Sequence, residues 1–143
     1  MQSVTQTLLV IKPDAVRRRL VGEIIHRVEL EGFEILDMRY RRLTRDEVEG
    51  LYEVHRGRDF FGALVDFMMS GPGVALLLEH EDAAQRLRNL VGDTDPAKAR
   101  SGTIRADLGT SVRENAVHAS SPDEDPAREI ELFFGKSGVS RQL

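Results

Sequence analysis

Two short apolar runs constrain this chain more than any other feature: Thr7-Leu8-Leu9-Val10-Ile11 and Val74 to Leu78. Neither alternates, so each reads as a strand buried in the middle of a sheet. The first stops at Lys12-Pro13, because Pro13 has no N–H to give to a ladder. Between the two runs the period changes. Val21, Ile24, Ile25 and Val28 recur at helical spacing, with Gly32 as the C-terminal cap. Residues 33 to 43 alternate as a strand, with Leu36, Met38 and Tyr40 on one face. Thr44-Arg45-Asp46-Glu47 is a capping box that opens a helix through Val48, Leu51 and Tyr52. Phe60, Phe61, Leu64, Phe67 and Met68 mark another helix, ending at Ser70-Gly71-Pro72.

Beyond the second run, Ala83, Leu87, Leu90 and Val91 define a helix stopped by Gly92. From Asp93 to Thr110 the pattern lapses into a long irregular segment, of the kind that is functional or disordered. Residues 115 to 119 read as a short last strand. Asp125-Pro126 caps a helix running to Phe133 and Phe134, Gly135 closes it, and the tail after Lys136 reads as frayed. This order predicts an α/β (α+β) chain: a ferredoxin-like sandwich with its helices on one face of the sheet, in a single domain spanning residues 1–143. A small doubly wound sheet is the runner-up.

Composition then removes whole classes of function. The chain has no cysteine, which excludes disulfide scaffolds, zinc ribbons and thiol chemistry. No apolar run approaches membrane-spanning length, and no basic stretch followed by an apolar core opens the chain, so a soluble, cytoplasmic protein is expected. A net charge of -4 argues against nucleic acid as the main partner. Contact with phosphate must therefore come from a few placed cations. The phosphate loop GxxxxGK[ST], GxGxxG after a strand, and the GxSxG elbow are all missing.

Of the four histidines, His26, His55 and His80 read as solvated or structural. His118 stands on or beside the last strand among small residues, where alternation puts Ala116, His118 and Ser120 on one side. Glu129 on the following helix is available to orient its ring. Spacing alone leaves open a satisfied core histidine and a chemical one. Lys12 ends a buried strand in a chain with only three lysines. It either contacts a ligand phosphate beyond the sheet end or snorkels to solvent. Arg88, Thr94 and Arg105 flank the irregular segment and together could clamp a polyphosphate. Phe60 is either core or a stacking platform.

Val10-Ile11-Lys12-Pro13-Asp14-Ala15-Val16, Phe60-Phe61 with Ser70-Gly71-Pro72, Thr94-Asp95-Pro96, Gly102-Thr103-Ile104-Arg105-Ala106-Asp107, Asn115-Ala116-Val117-His118-Ala119-Ser120, Ala127-Arg128-Glu129-Ile130 and Phe133-Phe134-Gly135 occur in one order. In that order and spacing the chain resembles the nucleoside diphosphate kinase family from Thr7 to Gly135. The resemblance implies a ferredoxin-like βαββαβ core with a helical hairpin and a long nucleotide-site loop. It implies ping-pong transfer of the terminal phosphoryl group of a nucleoside triphosphate to a nucleoside diphosphate through a phosphohistidine at His118. Glu129 would orient that ring, with Ser120 a nearby hydroxyl and Tyr52 beside it. Lys12 and Asn115 would meet the sugar 3′-hydroxyl, and Lys12 also the transferred group. Arg88, Thr94 and Arg105 would hold phosphates. Phe60 and Val112 would sandwich the base without reading its edge, which implies broad base acceptance. Mg2+ would arrive on the nucleotide phosphates, with no metal held by the protein. The implied assembly is a homo-oligomer built from dimers, a hexamer in preference to a tetramer.

Four residues depart from the family pattern: Ala119, Ser121 and Pro122 after the histidine, and Ser101 in the long loop. The expectation is that none touches the matched nucleotide contacts. Two rival readings keep the fold but change the role: a catalytically weakened nucleotide-binding or regulatory module, and a histidine phosphotransferase acting on proteins.

Overall fold

The computed structural model of the chain describes residues 3–123 and 125–135. Four strands form its sheet: β1 (Val4–Ile11), β2 (Glu34–Arg42), β3 (Pro72–Glu81) and β4 (Val117–Ala119). Their order is β2-β3-β1-β4, and every neighbouring pair is antiparallel. Antiparallel pairing throughout overturns the doubly wound alternative, whose strands are mostly parallel. The two apolar runs are the two central strands, paired from Val4↔Glu81 to Ile11↔Val74.

Seven α-helices accompany these strands among the described residues: α1 (Pro13–Arg17), α2 (Val21–Leu30), α3 (Arg45–Leu51), α4 (Phe61–Met68), α5 (Ala83–Val91), α6 (Ile104–Leu108) and α7 (Pro126–Phe134). They cover both faces of the sheet, not one. Leu9 and Ile11 of β1 pack with Val28 of α2, Leu87 of α5 and Ile104 of α6. Leu8 and Val10 pack on the other side with Val48 of α3, Met68 of α4 and Ile130 of α7. A non-alternating strand requires this, since its odd and even residues both need an apolar cover. Each such Leu or Val contributes about 1.5–3 kcal/mol by leaving water.

Other local expectations are refined by the backbone. The chain does not simply break at Pro13. The proline takes the first position of α1, where its missing N–H leaves no bond unmade. The irregular segment 93–110 contains α6, opened by Thr103, whose side chain accepts from Ala106 N. The β2 alternation is interrupted by a register shift between Ile35 and Asp37. Leu36 packs on the α3–α4 side, while Met38 and Tyr40 on this edge strand are exposed. The capping box is present in full: Thr44 accepts from Glu47 N, Glu47 accepts from Thr44 N, and Arg41 clamps the same carboxylate. The last strand starts at Val117 instead of 115, because Ala116 adopts a positive φ of 77. The predicted frayed tail after Lys136 lies outside the described residues.

Candidate active site

Beyond the end of β1 a cleft of about 570 Å³ opens between β4 and the α3–α4 pair. Lys12, Tyr52, Phe60, Arg88, Thr94, Arg105, Val112, Asn115 and His118 all line it. Ser120 and Glu129 sit behind the imidazole, both fully buried. The structure thus brings together the candidate site residues Lys12, Tyr52, Phe60, Arg88, Thr94, Arg105, Val112, Asn115, His118, Ser120 and Glu129, from positions more than a hundred residues apart.

The ring of His118 is placed by the ladder. His118 pairs with Val10 of β1, so it lies on the face carrying Val10, whereas Val117 and Ala119 pack on the other face. Its Nε2 is 3.0 Å from Oε1 of Glu129, an oxygen that also accepts the Ser120 hydroxyl at 2.7 Å. An ionised carboxylate only accepts, so it selects the tautomer with the proton on Nε2 and leaves the Nδ1 lone pair available. Tyr52 meets the ring edge-on, with centroids 5.4 Å apart.

Cations surround the rest of the cleft. Lys12 is 3% exposed, and its Nζ donates to Asn115 Oδ1 at 2.9 Å and to the Arg113 carbonyl at 2.6 Å. Burial lowers its pKa to about 8; Asp14 and Glu114 oppose that fall, while Arg105 and Arg113 add to it. Asn115 is fixed from its other end, its amide donating to the Thr94 carbonyl. Arg105 is held by donations to the carbonyls of Gly92 and Val117. Its pKa is lowered to about 10, chiefly by burial, with Tyr52 opposing and Arg88 reinforcing the drop. It therefore remains a cation at neutral pH.

Ala116 breaks the strand alternation just before the histidine. With φ at 77 and Val117 N donating to Asn115 O at 2.9 Å, residues 115–117 form a γ-turn of the strained kind. Ala116 consequently packs in the core cluster with Val117, not on the side of His118 as alternation predicts. Strain of this sort costs of order 1–3 kcal/mol and persists only where surroundings enforce it.

Two expectations need correction. Ser121, expected to stay clear of the matched contacts, accepts from Arg88 Nη1 at 3.2 Å and lines the cleft, as does Ala119. His55, read as structural, also lines it, stacked at 6.3 Å on Tyr52 and edge-on at 5.2 Å to Phe60. His55 gave no signal in the sequence because the turn at Glu53–His55, which swings it inward, has no periodicity to betray it. Arg113 was missed for the same reason. By contrast His80 is structural as read: it packs edge-on to Phe33, with Nε2 3.0 Å from the Glu31 carbonyl.

Comparison with known proteins establishes the family of this chain. The family model described as nucleoside diphosphate kinase matches residues 5–139. A nucleoside diphosphate kinase of Rubrobacter xylanophilus is 52% identical over 91% of this chain and 98% of its own length. Among solved structures, the Aquifex aeolicus nucleoside diphosphate kinase is similar with a TM-score of 0.89 and 41% identity, covering 96% of this chain and 100% of that one. A halophilic nucleoside diphosphate kinase from Halobacterium salinarum, solved in complex with CDP, gives 0.91 and 33% identity, covering 99% and 93%. Both share the sheet and helices described above, the ferredoxin-like arrangement. The chain belongs to the nucleoside diphosphate kinase family.

Proposed function

We propose that His118 is the nucleophile of this phosphotransferase. The observation that carries the reading is the contact between His118 Nε2 and the buried Glu129 carboxylate, which leaves Nδ1 with no hydrogen bond among the described residues. In the first half-reaction Nδ1 attacks the terminal phosphorus of a nucleoside triphosphate. The bond from that phosphorus to the bridging oxygen breaks, and the nucleoside diphosphate leaves. Nε2 keeps its proton, and Glu129 stabilises the positive charge that the ring acquires. In the second half-reaction a terminal oxygen of the acceptor diphosphate attacks the same phosphorus, and the P–N bond breaks.

Little other covalent chemistry is needed, so positioning and charge neutralisation do the rest. Lys12, Arg88 and Arg105 supply charge, Thr94 a hydroxyl, and Lys12 with Asn115 the contact to the sugar. Phe60 and Val112, 39% and 57% exposed at the cleft mouth, offer flat apolar surface to any base. Mg2+ enters as part of the substrate, on the nucleotide phosphates; among the described residues the cleft lining presents cations to those phosphates and no carboxylate. A cytoplasmic setting and a hexamer built from dimers complete the reading and rest on family membership. Among the described residues no helix is long and apolar enough to cross a membrane.

A two-step label transfer tests the reading. Magnesium ATP labelled at its terminal phosphate labels the protein in an acid-labile, alkali-stable bond, and His118→Ala abolishes the labelling. Added GDP then releases the label as GTP. Labelling without discharge indicates a protein acceptor instead, and folded protein that takes no label refutes the nucleophile.

A further inference from the structure

Asp14 stands two residues beyond Lys12, in the first turn of α1, and is 2% exposed. A carboxylate taken out of water costs several kcal/mol unless its surroundings compensate, and here compensation is thin. Oδ1 accepts no hydrogen bond among the described residues. Oδ2 accepts one, the N–H of Ala116, at 3.1 Å. Burial raises the carboxyl above its ordinary range, with Lys12, the Ala116 N–H and its own N–H opposing and Glu114 adding to the rise. Its one bond to a distant part of the chain is the contact that bears on the site.

The bond has a specific place. Ala116 is the centre of the strained γ-turn, and both of its backbone polar groups go to the same short segment of chain. Its N–H goes to the Asp14 carboxylate, and its carbonyl accepts from Lys12 N at 2.9 Å. On one side of the turn is Asn115, which holds the Lys12 ammonium. On the other, two residues on, is His118. We infer that Asp14 is a positioning residue for phosphoryl transfer, its carboxylate pinning the Ala116 turn so that Lys12, Asn115 and His118 keep one fixed spacing. The inference rests on the reading of His118 as nucleophile.

The same carboxylate also acts on Lys12 through charge. Asp14 and Glu114 face that ammonium as anions, Arg105 and Arg113 as cations, and the Phe67 ring lies 5.6 Å away. The two effects are separable by substitution. Asp14→Asn keeps an oxygen for the Ala116 N–H but deletes the charge. Asp14→Ala deletes both.

The experiment measures kcat, KM and the pH profile of kcat/KM for ATP-to-GDP transfer in wild type and both variants, with unfolding curves to establish that each is folded. Asp14→Ala lowers kcat by about 100-fold, the loss expected when reacting groups shift by about 1 Å, and by more than it raises KM. Asp14→Asn restores most of the lost kcat, yet the alkaline limb of its kcat/KM profile moves to lower pH, because one of the two anions supporting the Lys12 ammonium is gone. Wild-type kcat in Asp14→Ala overturns the inference. So does an Asp14→Asn variant as impaired as the alanine with its alkaline limb unmoved, since that pattern belongs to a merely structural carboxylate. Should the alanine variant not fold, Asp14→Leu takes its place, since it fills a similar volume but cannot accept from the Ala116 N–H: the same loss of kcat supports the pin, and wild-type kcat overturns it. Wild-type protein without turnover refutes the nucleophile assignment, which is a separate result.

Discussion

Replacing Lys12 with methionine should change how stability depends on pH. The ammonium is nearly excluded from solvent, and burial takes its pKa from an ordinary 10.5 to about 8. At about 1.4 kcal/mol per pKa unit, holding it charged in the folded state costs about 3 kcal/mol. The sign follows from proton counts. Below about pH 8 the lysine is protonated in both folded and unfolded chains, and folding bears the full cost. Between about 8 and 10.5 the folded lysine has lost its proton while the unfolded one still holds it. Unfolding then takes up a proton, and stability rises with pH through that window. Above it both forms are neutral. Lys12→Met has no such group, while its other titrating groups are shared with wild type. Urea unfolding of both proteins at pH 7, 8, 9 and 10, at one protein concentration, isolates the difference. Wild type should gain on the variant by about 3 kcal/mol in all, most of it by pH 10. A difference that stays flat would refute the premise that the folded protein buries a charged amine.

Glu47→Ala removes the N3 half of the capping box together with the Arg41 clamp, and should destabilise by about 2 kcal/mol, read as a lower thermal midpoint. Although burial pushes the Glu47 carboxyl upward, the bonds from Arg41 and Thr44 hold it below its ordinary 4.5. Its contribution is therefore complete above that value and is lost as pH falls through the folded pKa, so wild type and variant converge in acid. Phe60→Ala should raise KM for ATP, GTP and CTP alike by about tenfold, the equivalent of about 1.4 kcal/mol of stacking. A rise confined to one base would refute a slot that does not read the base edge.

The features legible in the sequence are those set by local periodicity and chemistry. Two non-alternating runs identify β1 and β3 because a strand buried on both faces has no polar side to show. Thr44 and Glu47 mark a helix start because a capping box is wholly local. What escaped depends on partners distant in the chain. Nothing near Asp14 in sequence tells of its bond to Ala116, about a hundred residues away. Nothing around Ser121 announces Arg88. Alternation fails at Ala116 because a turn strained in isolation is imposed from outside. α6 was hidden because a helix of five residues is too short to display a period. Most of the matched residues were legible through motif order and resemblance; their spacings to one another became visible only with the fold.

The His118 imidazole is delivered by a strand three residues long, locked at Val10↔His118 and tied off where Ser120 N donates to Leu8 O. Facing in a strand is a matter of parity: it takes one of two values and nothing between. Adding or deleting one residue between the turn at Ala116 and the tie at Ser120 would carry His118 from the Glu129 side to the side now held by Val117 and Ala119. Substitutions in this stretch act by degree, but a single-residue change in length inverts the site. Length should therefore be rigid across β4 even where side chains vary.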